Sequence, residues 1–120
     1  MASALHLSGN LTKDPEIRYL GDGTAITTFS VAVNRRWQDR TSGEWSESTS
    51  YFDVACWRDL AEHAAMSLSK GDRVLVSGYL EQRTWTSTEG KMRSRIELVA
   101  QDLGPSLRFR PVSPSVELAV

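Results

Sequence analysis

Residues 59–71 read DLAEHAAMSLSKG, and this stretch decides the fold because the spacing of the apolar residues changes here. Leu60, Ala64 and Leu68 recur at helical spacing, which predicts one short helix. Asp59, with a glutamate three residues later, is typical of an N-cap, and the lysine and glycine that end the stretch are typical of a helix C-terminus. The helix is expected to cover one end of the sheet that its neighbours form.

The segments before this helix alternate apolar and polar residues, which is the period of a β-strand. The apolar faces of two long strands before the helix contain Phe29, Val31, Val33, Phe52, Val54 and Cys56. The residues between these strands, 39–44, read DRTSGE and predict the loop of a long hairpin. Leu5 and Leu7 mark a shorter first strand.

Two further strands follow the helix. Their apolar faces contain Val74, Val76, Gly78, Leu80, Ile96, Leu98 and Ala100. This order of elements predicts an all-β protein, a five-stranded OB-type barrel with one short helix between strands 3 and 4. Small Greek-key sandwiches give a similar order. We expect one domain over residues 1–109 and a short flexible tail over 110–120, where prolines and serines collect.

Composition narrows the class of protein. The chain has 120 residues, 40% of them hydrophobic, with a formal net charge of −1, so bulk charge would not drive binding to a polyanion. It contains no apolar run long enough to span a membrane and no N-terminal secretory pattern. Its single cysteine, Cys56, fits a reducing compartment, and a cytoplasmic location is expected.

The residues that support catalysis or metal binding are sparse. His6, His63 and Cys56 do not occur in a metal-ligand spacing, and the sequence has neither a phosphate-binding glycine loop nor a nucleophile elbow. We therefore expect no catalytic residue, no metal, no cofactor and no enzymatic activity.

The tryptophans suggest a binding surface instead. Trp37, Trp45, Trp57 and Trp85 lie beside arginines or in polar strand and turn segments rather than in apolar runs. A flat ring next to a guanidinium can stack on a base while the cation meets the adjacent phosphate. The alternative is that some of these rings fill the barrel or anchor turns.

Strand alternation groups the aromatic and basic residues by face. Tyr51 shares a face with Trp57, Tyr79 shares one with Arg83 and Trp85, and a third strand presents Lys91, Arg93 and Arg95. Arg35 and Trp37 precede the long hairpin loop. If these faces adjoin, they form a groove with stacking platforms and phosphate-pairing cations. Otherwise they form a solvated, charged sheet face with aromatic filler.

Several ordered segments are similar to one known family. They are GNLTKDPEIRY (9–19), FSVAVNR (29–35), WRDLAE (57–62), KGDRV (70–74) and GYLEQRTW (78–85). Over residues 4 to about 108 the chain resembles the bacterial single-stranded DNA-binding proteins, and LGPSLR (103–108) resembles their actinobacterial branch.

The resemblance implies an OB fold, usually a homotetramer, that wraps and protects single-stranded DNA without sequence preference during replication, recombination and repair. The stacking positions that it implies are Trp37, Tyr51, Trp57 and Trp85. Trp45 lies in the variable hairpin loop outside these positions, as an extra contact or a packing residue.

The resemblance also bears on assembly and partners. It implies that the first strand pairs with its copy in a second protomer, which would place His6 near its symmetry mate. Members of the family extend into a long tail with an acidic tip that recruits replication and repair enzymes, whereas residues 114–120 read PSVELAV. The expectation is a truncated core or a tailless paralogue that does not recruit partners by that route. The competing function is an OB-fold assembly or primosome-type accessory module.

Overall fold

The computed structural model describes residues 4–113. Six strands and one helix form in chain order: β1 (Leu5–Leu11), β2 (Glu16–Tyr19), β3 (Ala25–Gln38), β4 (Trp45–Trp57), α1 (Arg58–Ser67), β5 (Arg73–Thr86) and β6 (Met92–Pro105).

Five long strands close into a barrel. The sheet order is β1-β5-β6-β4-β3-β2, and a further pairing between β1 and β3 closes the ring. β4 and β6 are parallel, and the other pairs are antiparallel. The predicted five-stranded barrel is confirmed, with a short extra strand, β2, that pairs only with β3. The helix therefore follows the third of the five long strands, as predicted, and lies between β4 and β5 in the complete numbering.

Branched aliphatic side chains fill the barrel. Val31, Val54, Val74, Val76 and Leu98 are each 2% exposed or less. Because one face of every long strand contributes to this core, the opposite face is left for solvent or for a ligand.

The helix closes one end of the barrel. Ala61, Ala64 and Leu68 are buried in the same core. The hydroxyl of Thr27, fully buried on β3, donates a hydrogen bond of 2.6 Å to the carbonyl oxygen of Ala61. The helix thus has the covering role that its spacing predicted.

The predicted N-cap at Asp59 is wrong. The helix begins at Arg58, and Trp57 occupies the N-cap position without a side-chain hydrogen bond. Arg58 has a φ of 61°, so a single left-handed residue turns the chain from strand into helix. Asp59 lies in the first turn instead, where its negative charge interacts favourably with the helix dipole.

Three residues that the alternation assigned to the core are partly exposed. Phe52 is 40% exposed, Leu80 is 50% and Ile96 is 60%. The reason is strand length: β3, β5 and β6 each have 14 residues and β4 has 13, so both hairpins extend past the end of the barrel. Beyond the end of the barrel, the apolar faces of these strands no longer have a core to pack against.

The loop predicted between β3 and β4 is confirmed and is ordered by its own hydrogen bonds. Asp39 accepts from the backbone N–H groups of Thr41 and Ser42 at 2.7 and 3.0 Å. These bonds, with Ser42 contributing most, lower the pKa of the Asp39 carboxyl. Gly43 supplies the left-handed turn residue at φ 74°. The carboxylate that orders the turn is therefore charged at neutral pH.

The chain continues against the barrel after β6. The backbone N–H of Ser106 donates to the carbonyl oxygen of Arg73 at 2.8 Å, and the Arg73 guanidinium lies 5.1 Å from the Phe109 ring centroid. Arg110 forms an ion pair with Asp72. The boundary expected at residue 109 stays a prediction, and the part of the expected tail from 114 to 120 lies outside the described residues.

Within residues 4–113 there is no helix with the length and apolar character needed to cross a bilayer.

Candidate nucleic-acid interface

A continuous outer face runs across β3, β4, β6 and β5. The strand registers place side by side the residues that alternate outward from the core. We call this set the outer face, and it contains Thr28, Ser30, Tyr51, Asp53, Ala55, Trp57, Tyr79, Glu81, Arg83, Trp85, Arg93, Arg95, Glu97 and Val99.

Arg83 of β5 contacts side chains of β4 and β6. Its guanidinium lies 5.8 Å from the ring centroid of Trp57. The same group forms ion pairs with Glu97 on β6 and, at 3.4 Å, with Glu81. Glu97 is 8% exposed, so this contact satisfies a carboxylate that would otherwise be buried without a partner. The predicted faces of Trp57 and of Arg83 therefore adjoin.

A second contact connects β6 to β4. Arg95 donates to the Asp53 carboxylate at 2.8 Å, across a separation of 42 residues in sequence. Two residue pairs farther along the β5–β6 hairpin, Trp85 lies opposite Arg93. Lys91 lies at the tip of that hairpin, where its backbone pairs with Ser87.

The outer face borders a cleft of about 590 Å³. One wall is the β5–β6 hairpin with Arg83 and Trp85, the other is the segment 12–18, and Ser30 and Ala55 lie between them. The charged lining residues number four cations and four anions: Lys13, Arg18, Arg83, Arg95, Asp14, Glu16, Asp53 and Glu97. A cleft with balanced charge must bind a polyanion largely through contacts other than bulk attraction.

Ion pairs divide the predicted basic residues into two groups. Arg83 and Arg95 have carboxylate partners on the outer face. Arg35, Lys91 and Arg93 form no ion pair within the described part of the chain. The cations of the second group can bind a phosphate without first breaking an ion pair within the protein.

The long β3–β4 hairpin presents aromatic rings on both of its faces. Tyr51, 67% exposed, lies on the outer face. Trp37 follows the alternation of Phe29 and Val31, so it lies on the opposite side of the hairpin, where Arg35 is 5.4 Å from its ring centroid. The structure thus gathers eight of the ten predicted site residues on the outer face or at its hairpin tip, and it places Trp37 and Arg35 elsewhere.

Sequence reasoning missed the acidic partners. Asp53 and Glu97 were not among the predicted site residues, whereas each neutralises an arginine of the outer face. Strand alternation could have identified them. Asp53 lies on the same strand face as Tyr51, and Glu97 lies on the same strand face as Arg95. Asn10 and Asp14 bind the segment between α1 and β5: the Asn10 side-chain amide donates to the carbonyl oxygen of Gly71 at 3.0 Å, and the Asp14 carboxylate accepts from the backbone N–H of Lys70 at 2.7 Å.

The cysteine and the histidines are separate from this surface. Cys56 is fully buried, and burial raises the pKa of its thiol to about 12, which keeps it protonated and unreactive at neutral pH. His6 and His63 are exposed on β1 and α1. No group of three potential metal ligands occurs among residues 4–113.

The chain has relatives among proteins of known function. The model of the Single-strand binding protein family matches residues 2–106. A single-stranded DNA-binding protein of Paenarthrobacter aurescens is 45% identical over 102 residues, covering 84% of this chain and 60% of that protein. One from Mycolicibacterium smegmatis is 45% identical over 103 residues, covering 84% and 62%. Both sources are actinobacterial, in agreement with the resemblance carried by residues 103–108.

A solved structure has the same fold. The Plasmodium falciparum SSB in complex with ssDNA superposes with a TM-score of 0.80 at 26% sequence identity, covering 88% of this chain and 96% of that one. The present chain spans about three fifths of the length of the two bacterial relatives. Because the family match extends over the whole barrel, this chain belongs to the single-strand binding protein family.

Proposed function

We propose that this chain binds single-stranded DNA without sequence preference and protects it during replication, recombination and repair. The observation that carries the proposal is the outer face, where Trp57 on β4 and Trp85 on β5 lie among the arginines of β5 and β6. Base stacking on aromatic rings, combined with cations that track the phosphates, is how OB folds hold single strands. The family and the fold of a relative solved with single-stranded DNA support the same conclusion.

The absence of sequence preference has a physical reason. Every base has a π-face, so a stacking platform accepts all four bases, while the paired bases of a duplex are already stacked on each other. In this proposal the rings of Trp37, Tyr51, Trp57, Tyr79 and Trp85 take the bases. The phosphates meet the side chains of Arg35, Arg83, Lys91, Arg93 and Arg95.

The alternative function, an OB-fold assembly module, does not explain the aromatic and basic side chains on this surface. An assembly module would not need tryptophan rings beside guanidinium groups at Trp37, Trp45 and Trp57. We propose a binding protein rather than an enzyme, located in the cytoplasm with the nucleoid, where its DNA would be found and where the free thiol of Cys56 would stay reduced.

The ion pairs predict that the arginines contribute unequally to phosphate binding. Arg93→Gln is expected to reduce the slope of log K against log salt concentration by about 0.7, the value for one phosphate contact on a single strand. Arg95→Gln is expected to change the slope less, because Arg95 is already paired with Asp53 at 2.8 Å. Titration of labelled oligo(dT) at several salt concentrations measures both slopes.

The two variants are matched controls for each other, since both remove one arginine from the outer face of β6. Equal changes of slope would show that the ion pair with Asp53 does not limit the contact of Arg95 with a phosphate. Unchanged slopes in both variants would remove the phosphate role of this strand.

We also propose that the chain assembles as a homotetramer. β1 pairs with β5 from Leu5 to Asn10, but with β3 only at Asn10 and Leu11. The other edge of Leu5–Gly9 has no strand partner in the described structure, and such an edge can pair with the same strand of another protomer. A two-fold pairing of this kind would bring His6 near its own copy. Sedimentation equilibrium distinguishes a tetramer from a monomer by mass.

A further inference from the structure

The tip of the β3–β4 hairpin carries an arginine–tryptophan pair outside the four stacking positions that the resemblance implied. The guanidinium of Arg36 lies 4.9 Å from the ring centroid of Trp45. Trp45 is 60% exposed, compared with 44% for Trp37 and 45% for Trp85. A ring that served only to fill space in the barrel would be buried, so packing does not account for this side chain.

Trp45 lies in line with the aromatic residues of the outer face. Trp57, Tyr51 and Trp45 follow one another on β4 at intervals of six residues, and an even interval keeps them on the same side of the strand. Six residues of strand correspond to about 20 Å. β4 thus displays three aromatic side chains in equal steps, from Trp57 beside Arg83 to the hairpin tip.

The tip is a hydrogen-bonded structure that orders the backbone from which the Trp45 ring projects. The β3–β4 ladder is regular as far as the pair Gln38 and Trp45. Beyond it, the backbone N–H of Asp39 donates to the carbonyl oxygen of Glu44 at 2.9 Å, and the Gln38 side-chain amide donates to the carbonyl oxygen of Gly43 at 3.0 Å. Because this backbone is already ordered, the turn loses little conformational freedom when a base stacks on Trp45.

The tip also separates two binding positions that lie on opposite sides of the hairpin. Tyr51 is on the outer face, whereas Trp37 is on the reverse side, paired in register with Ser46, the neighbour of Trp45. A DNA strand that runs from Tyr51 to Trp37 by way of the hairpin end passes Trp45.

We propose that Arg36 and Trp45 form an additional nucleotide subsite that carries single-stranded DNA around the hairpin tip. The proposal rests on the proposed function. The guanidinium covers one side of the indole ring and leaves the other for a base, while its charge meets the adjacent phosphate. The subsite extends the track on the outer face by about 20 Å beyond Tyr51.

Photo-crosslinking tests directly whether bound DNA contacts Trp45. Oligo(dT) of about 16 nucleotides, the upper end of the length that one OB fold occupies, is substituted with 5-iododeoxyuridine and irradiated on the wild-type chain. Mass spectrometry is expected to find adducts on Trp45 as well as on Trp57 and Trp85. Adducts on Trp57 or Trp85 without any on Trp45 would overturn the subsite. Absence of binding and of all adducts would instead overturn the proposed function.

Substitutions test the contribution to affinity. Trp45→Ala is expected to weaken binding of the same oligonucleotide by about fivefold, the lower end of the range for one stacked base, and Trp45→Phe to retain most of it. Arg36→Gln is expected to weaken binding, whereas Arg40→Gln, which removes the same charge from the turn of the same hairpin, is not. Wild-type affinity in Trp45→Ala, or equal losses in the two arginine variants, would contradict the subsite. Thermal unfolding of each variant verifies that the hairpin and barrel are intact.

Discussion

Replacing Trp85 with alanine is expected to weaken the binding of oligo(dT) by a factor between about 5 and 150, which corresponds to 1–3 kcal/mol for one stacked base. Trp85 lines the cleft, lies opposite Arg93 and is 45% exposed, so its loss removes a stacking platform without opening the core. Alanine substitutions at Trp37 and Trp57 are expected to fall in the same range. Fluorescence anisotropy of a labelled oligonucleotide at one fixed salt concentration measures the effect.

Two substitutions on the same strand serve as controls for this experiment. Trp85→Phe keeps an aromatic face and is expected to retain most of the affinity. Thr84→Ala changes the neighbouring exposed residue, which points to the other side of β5, and is expected to have no effect. Wild-type affinity in Trp85→Ala, with its fold intact, would contradict the stacking role.

Replacing Gly78 with alanine is expected to lower the free energy of unfolding by about 3 kcal/mol, the upper part of the usual range for overpacking. A Cβ at this position would lie 1.9 Å from the carbonyl oxygen of Val99 and 2.9 Å from its carbonyl carbon. The obstacle is backbone of the neighbouring strand, next to the irregularity between Ser77 and Gly78, so a change of rotamer cannot relieve it. Urea unfolding followed by circular dichroism measures the loss.

Gly104 provides the matched control for Gly78. It lies on β6, and a Cβ there would meet nothing within 4 Å. Gly104→Ala is therefore expected to change stability by no more than about 0.5 kcal/mol. Similar losses for the two variants would show that close approach of the strands is not the reason for glycine at position 78.

Alternation and helical spacing predicted most of the fold. They located the five long strands and the helix because each element has one buried face, and burial imposes the period on the sequence. The start of the helix was misplaced because the cap signature at Asp59 competes with a left-handed residue at Arg58, which propensity does not reveal. Phe52, Leu80 and Ile96 were assigned to the core because alternation does not indicate where a strand leaves the barrel.

The candidate site was only partly predictable. Alternation grouped the aromatic and basic residues correctly by strand, but the parallel pairing of β4 with β6 connects segments more than 40 residues apart in sequence. The contact between Arg95 and Asp53 depends on that pairing. Alternation alone could have placed Trp37 on the same strand face as Val31 and Val33, away from the outer face. It could also have placed Trp45 on the same face of β4 as Tyr51.

The most direct test of stacking as the basis of binding is a titration that follows tryptophan fluorescence with oligo(dT) and with a duplex of the same length. Stacked bases are expected to quench the fluorescence on the single strand, and binding should persist at moderate salt because the cleft has balanced charge. The duplex is expected to bind poorly, since its bases cannot stack on the protein. Equal affinity for both nucleic acids, without quenching, would contradict the account and leave only a charged surface.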